Sequence, residues 1–213
     1  MDIGCGPGFF TILLSQARHE VIGIDGSQDM LREAQAKAEV CSVAPAFFQM
    51  DAHKPEFPEN SFDLIVSRNV THILQEHRLA YGEWLRLLRP GGRLLIFDAN
   101  WHLVKTDPVL REESLRRYKD CVKRYGDAFD RKMKNKDTGR TFNLKEGHIL
   151  GDIRRPDWDI GLLLGLGYEG IYVERDITGE MWDEKEHLLY GNTPMFMIRA
   201  EKCAYPKIIP SIL

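Results

Sequence analysis

The chain is 213 residues long, with 29 Lys and Arg, 32 Asp and Glu and a formal charge of −3. That length suits one domain with an insertion and buries roughly 70% of the unfolded chain's surface, so no disulfide or metal staple is required. A hydrophobic fraction of 43% and a charged fraction of 29% exclude a disordered chain, and the near balance of charge gives no general pull towards nucleic acid or an anionic membrane. The longest uncharged run, Ile3–Ala17, is broken by Gly4, Gly6, Pro7 and Gly8 and is too short for a bilayer span of roughly 20 apolar residues. No basic leader precedes it, so a cytoplasmic protein is expected. Cys5, Cys41, Cys121 and Cys203 form no C-x-x-C, the histidines form no H-E-x-x-H, and no metal site is expected.

In chain order, strands and helices alternate. Residues 20–24 read as a short buried strand. Residues 28–39 read as a helix capped by Ser27, with Met30, Leu31, Ala34 and Ala38 on one face. Strands are predicted at Ala46–Met50 and Phe62–Ser67, and a helix over Ile73–Leu88 that ends at the turn Arg89-Pro90-Gly91-Gly92. Arg93–Asp98 is the next strand. Strands separated by helices imply an α/β fold with a mostly parallel sheet covered on both faces.

The pattern changes after Trp101. Residues 101–147 carry 13 Lys and Arg against 8 Asp and Glu, which makes this the basic part of the molecule. Within it, Leu115, Tyr118, Val122, Tyr125, Phe129 and Met133 form one stripe of a helix predicted over 110–133. The segment reads as a surface helix packing its stripe on the sheet domain. Its alternatives are a lid over a substrate pocket or a dimerisation helix, so monomer and homodimer both stay open. Its basic residues are interleaved with acids, which does not favour nucleic acid. Alternation then resumes with a helix at Pro156–Leu166 closed by Gly165-Leu166-Gly167, a strand at Tyr168–Asp176, a helical turn within Trp182–Tyr190 and a last strand at Pro194–Ala200. The tail from Lys207 is expected to be irregular.

The chemistry is concentrated at the beginning, in Asp2-Ile3-Gly4-Cys5-Gly6-Pro7-Gly8-Phe9-Phe10. Three glycines at alternate positions between a strand and a helix let a ligand approach the backbone. A dinucleotide loop, G-x-G-x-x-G/A, needs a small residue where this chain has Phe9. Asp25 closes the second strand, 21 residues after Gly4, where a carboxylate can accept from a ribose diol. Asp51 closes the third strand and can accept from an exocyclic amine. Cys5 reads as a small packing residue rather than a nucleophile.

Together these residues resemble the class I S-adenosylmethionine-dependent methyltransferases, a Rossmann-like family with a seven-stranded sheet. The resemblance covers 2–98 well, 156–201 more loosely, and 101–147 not at all. It implies a single methyltransferase domain over 1–213: a three-layer sandwich with an antiparallel last strand and a helical insertion after the fifth strand. It implies S-adenosylmethionine as cofactor. Gly4, Gly6 and Gly8 would pass its methionine part, Asp2 would neighbour its amino group, and Asp25 would hold its ribose hydroxyls. Asp51 and Ala52 would flank its adenine, and Ser67, Arg68 and Asn69 would line it on the substrate side. Cys5, Gly26 and Met30 complete the expected binding set. Only Met1 precedes Asp2, fewer residues than the family carries there, and a truncated or abbreviated member with a more exposed cleft is expected.

A sulfonium is already an activated methyl donor, so the protein has to align the acceptor for in-line displacement and exclude water. A base is needed only if the acceptor arrives protonated. His72 and His102, each just past a strand's C-terminal end, are the candidate catalytic bases, with surface or capping roles as the alternative. Trp101 is a pocket wall or core. Arg154 and Arg155 are a pair for an acceptor carboxylate or simply solvated. Ser67-Arg68-Asn69-Val70 stands where many base-methylating members carry an Asn/Asp-Pro-Pro-Tyr/Phe tetrapeptide, so a small-molecule acceptor is expected rather than nucleic acid. The alternative is a non-catalytic cofactor-binding module that dimerises through 110–133.

Overall fold

The computed structural model describes residues 1–126 and 150–204. A two-residue strand β1 (Asp2–Ile3) runs through the glycine loop into α1 (Phe9–Gln16), and β2 (Ile22–Asp25) leads to α2 (Gln28–Val40). Ser27 caps α2 by accepting from the Met30 amide. Then come β3 (Ala46–Gln49), β4 (Phe62–Arg68), a 3-10 turn at Thr71–Ile73, α3 (His77–Leu87) and β5 (Leu88–Ala99). The remainder is α4 (Leu103–Thr106), α5 (Pro108–Tyr125), α6 (Asp157–Leu166), β6 (Tyr168–Glu174), α7 (Thr178–Met181), α8 (Glu184–Tyr190) and β7 (Met195–Lys202).

The strands form one seven-stranded sheet in the order β3-β2-β1-β4-β5-β7-β6, parallel from β3 to β5, with β7 antiparallel to both neighbours. Helix α2 packs on β2 and β3 with α1 beside it, while α3 packs on β5, α6 on β6, and α3 and α6 on each other. The core lies under α3 and α6, where Tyr81, Trp84 and Leu163 meet Leu94, Ile96 and Tyr168, all essentially inaccessible to solvent. The expected α/β sandwich with an antiparallel last strand is present.

Three local expectations are revised. The helix predicted over Ile73–Leu88 starts only at His77. Side-chain acceptors capture the preceding amides: Asp98 takes the His72 N–H, and the His53 ring takes those of Gln75 and Glu76, which leaves none of them for helical partners. Residues 89–92, expected as the turn between the helix and the strand at Arg93, instead bulge out of β5 itself, since Leu88 already pairs with Phe62 and Arg93 with Leu64. The helix predicted over 110–133 is observed as α5, capped by Asp107, whose carboxylate accepts from the Val109 and Leu110 amides; Phe129 and Met133 lie outside the described residues. Its apolar stripe divides. Cys121 is buried, Arg117 donates to the carbonyl of Leu188, Asn192 donates to Leu110 and Ser114, and Lys185 of α8 lies over the Tyr125 ring, so α5 rests on α8 with Val122 and Tyr125 of the stripe half-buried. Leu115 and Tyr118 are left 56% and 43% exposed.

Candidate functional site

Strand order reverses direction between β1 and β4, and a crevice opens at the C-terminal ends of the strands at such a switch point. The glycine loop forms one wall and Ser67–Val70 the other. Gly4, Gly6 and Gly8 all have φ between +51° and +87°, a region that carries little penalty only for glycine. A Cβ on Gly4 would sit 2.2 Å from Cγ2 of Val70, so this glycine lets the two walls touch. A Cβ on Gly6 or Gly26 would meet nothing within 4 Å, so both border open space. Between them Asp25 accepts from the Gly6 amide at 2.9 Å and the Ser27 amide at 2.8 Å, which fixes the loop and aims the carboxylate along it. Each Asp25 oxygen keeps lone-pair capacity for a further donor such as a hydroxyl. An open glycine edge beside a carboxylate fits a nucleoside with a ribose diol.

Other expected residues take different positions. Asp2 is buried, and one oxygen accepts from both the amide and the hydroxyl of Thr11, tying β1 to the first turn of α1. Burial raises its pKa to about 6 against the lowering effect of those bonds. The hydroxyl of Ser67 is buried too and donates to the Ile3 carbonyl, so it links β4 to β1 rather than lining the crevice. The Cys5 thiol is buried and pushed strongly upward by desolvation, which fits packing and not nucleophilic chemistry. Met30 is partly buried, with its amide on the Ser27 cap. Asp51, 70% exposed, accepts from the His53 amide and ring, and Ala52 accepts from Nε1 of Trp84. Arg68 lies over the Phe9 ring, 4.7 Å from its centroid, and Asn69 takes a left-handed φ of 55° that turns the chain out of β4.

The second part of the site is a buried network that single residues did not reveal. Asp98, at the end of β5 and fully buried, accepts from the ring Nδ1 of His72 at 2.9 Å, the His72 amide, the Ala99 amide, Thr71 and Nε1 of Trp101. Arg155 adds an ion pair at 3.2 Å. Burial works to raise the Asp98 pKa, but His72, Arg155 and these donors outweigh it and hold the carboxyl well below its usual range. An ionised Asp98 fixes the hydrogen of His72 on Nδ1 and leaves Nε2 as the acceptor nitrogen, on a ring that is 17% exposed. His102, the other candidate base, is buried, and its Nε2 is 2.8 Å from the His72 carbonyl. This contact ties His102 to the His72 loop.

Arg155 is neither an acceptor ligand nor solvated. Its buried guanidinium bonds both oxygens of Asp159 and the hydroxyl of Thr71, and lies over the Phe196 ring. Tyr81 donates to Asp159 at 2.6 Å. Arg154 pairs with the α5 cap, Asp107. Nothing in an Arg-Arg-Pro tripeptide marks one arginine as buried; Asp159, four residues on in the same helical turn, is the signal that was available.

Residues 1–96 match the methyltransferase domain family. Over that segment the chain is similar to methyltransferase domains, and its sheet has the Rossmann-like fold of S-adenosylmethionine-dependent methyltransferases. Over 113 residues it is 35% identical to an uncharacterized methyltransferase, YcgJ, of Bacillus subtilis, which covers 53% of this chain and 44% of that protein. The crystal structure of YcgJ superposes with a TM-score of 0.56 at 20% identity, covering 95% of this chain and 90% of the other. Phosphoethanolamine N-methyltransferase 2 of Haemonchus contortus, solved with S-adenosylhomocysteine and phosphomonomethylethanolamine, superposes at 0.60 and 16% identity over 95% of this chain and 48% of that one. The structural likenesses establish the fold. The chain spans less than half the length of the first curated relatives it matches. No helix among the described residues is long and apolar enough to cross a membrane.

Proposed function

We propose that this methyltransferase binds S-adenosylmethionine along Gly4–Gly8 and Asp25 and methylates a small-molecule acceptor, with His72 as the base. The observation that carries the reading is the Asp25 carboxylate, bonded to the Gly6 amide and set beside open space at Gly6 and Gly26. When bound, the cofactor supplies a methyl group on a sulfonium, a leaving group that needs no protonation. Asp25 would hold the ribose hydroxyls, and the loop amides and the Asn69 turn would orient the rest. Asp51 and Ala52 stand at the end of β3 for the adenine side. Asp2, being enclosed with Thr11, acts on the amino end through its charge or an intervening water.

His72 would take the proton that an O–H or N–H acceptor must lose, at Nε2, while Asp98 keeps Nδ1 protonated and steadies the resulting charge. Positioned bases of this kind contribute about 10²–10⁴-fold to rate. The curated relatives include enzymes named for phosphoethanolamine and demethylmenaquinone, which supports a non-polymeric acceptor without choosing one.

Titration calorimetry with S-adenosylhomocysteine tests the cofactor half. Wild-type protein should bind it and not NAD, and Asp25→Ala should weaken binding at least tenfold; equal affinity in the variant would remove the basis of the reading. Labelled methyl transfer from S-adenosylmethionine into a small-metabolite extract tests the rest. His72→Asn should lower incorporation about 10²–10⁴-fold with S-adenosylhomocysteine affinity unchanged. No incorporation by wild-type protein would favour a binding module without catalysis.

A further inference from the structure

We propose that the cavity of about 400 Å³ between α4, α5 and α8 holds the acceptor's body, and that this body is an uncharged, flat, apolar ring system. The inference rests on the methyltransferase reading above and assigns the substrate class for that site. The volume lies within the roughly 300–1,000 Å³ typical of small-molecule pockets.

Trp101, Tyr118 and Tyr190 supply aromatic walls, and Val104, Leu115 and Leu189 supply aliphatic ones. Trp182 backs the aromatic side, 6.0 Å from Trp101 and 5.9 Å from Tyr190 between centroids, with Trp101 and Tyr190 themselves 5.4 Å apart edge to face. Rings this close pack on one another and leave no slot for a cation between them, so their free faces and edges border the cavity as an apolar surface. Arg111, Asn192 and Thr193 on the rim are already engaged. Arg111 donates to the carbonyls of Val104 and Lys105, the Asn192 amide to Leu110 and Ser114, and Thr193 to Tyr190. Among the described residues no carboxylate lines the cavity to hold an ammonium group, and Arg111, the one cation among them, is turned onto backbone oxygens. A phosphorylated or cationic acceptor would therefore lose hydration with little return.

Two further observations tie the cavity to the reaction. Trp101 is shared: one part of its ring system borders the cavity, while its Nε1 donates to Asp98 at 3.0 Å and its ring meets that of His72 edge-on at 6.2 Å. The Leu115–Tyr118 stripe of α5 also finds its use here. These two residues line the cavity, which accounts for the part of the α5 stripe that the fold itself leaves exposed.

The test uses the full chain saturated with S-adenosylhomocysteine, with 1-naphthol as probe. Calorimetry should show 1-naphthol binding and no binding of phosphoethanolamine. Leu115→Arg and Tyr118→Glu place charge at positions exposed enough to tolerate it, and each should weaken 1-naphthol at least tenfold while S-adenosylhomocysteine affinity, read on the same samples, stays at the wild-type value. Probe affinity unchanged in both variants, or displacement of the probe by phosphoethanolamine, overturns the assignment. S-adenosylhomocysteine binding without 1-naphthol binding overturns the assignment alone; failure to bind S-adenosylhomocysteine overturns the cofactor reading and this one together.

Discussion

Gly4 and Gly6 are two residues apart in one loop and do opposite things. Gly4→Ala drives a Cβ into Val70, 2.2 Å away, at a φ of +66°. Strain and clash together should cost about 2–4 kcal/mol in urea denaturation, above the ~1–3 kcal/mol of an unfavourable backbone alone. Gly6→Ala meets open space, so stability should fall by only about 1 kcal/mol while S-adenosylhomocysteine affinity drops, because the added methyl occupies the proposed ligand edge. Equal effects of the two variants on both measurements would contradict this division. Asp2 carries a pH signature. Its folded pKa, about 6, lies above the unfolded value near 3.8, so the folded state holds this proton more tightly. That contribution is complete below about pH 4 and is lost as pH rises through 6. Asp98 runs the other way: its depressed pKa stabilises the fold above about pH 4 and that support goes as pH falls below it. Thermal melts from pH 4.5 to 7.5 should show Asp2→Asn gaining on the wild type as pH rises, by at most about 3 kcal/mol for a shift of this size. The amide oxygen can still accept both Thr11 bonds.

Among the elements, the end of β5, the turn at Thr71–Ile73, α3 and the start of α6 are joined by one polar network around Arg155. Removing its charge leaves Asp98 and Asp159 buried without their cation. Arg155→Met should therefore destabilise by about 3–5 kcal/mol, measurable by denaturant melts. It should also free the Thr71–His72 segment, so methyl transfer by the folded variant should fall while S-adenosylhomocysteine affinity stays near the wild-type value. α5 shows the complementary case. Its capping by Asp107 and its stripe are both written locally, yet which flank touches α8 is decided by Asn192 and Arg117 contacts that join residues some 70 to 80 positions apart.

At the scale of the whole molecule, parallel strands with one reversal of order create the crevice, and the ends of β1, β2 and β4 bring the glycine loop, Asp25 and the Asn69 turn to it. The sequence by itself determined the α/β class, most strand and helix positions, the glycine loop and Asp25, because hydrophobic period, capping and turn chemistry act over a few residues. Tertiary structure alone decided that Asp98 bonds the His72 ring, that His102 and Ser67 bond backbone carbonyls of distant segments, that Arg155 is buried, and that Leu115 and Tyr118 of α5 border a cavity. These outcomes depend on partners brought together from distant positions, and a side chain's solvation and hydrogen bonding are set by those partners rather than by its neighbours in sequence.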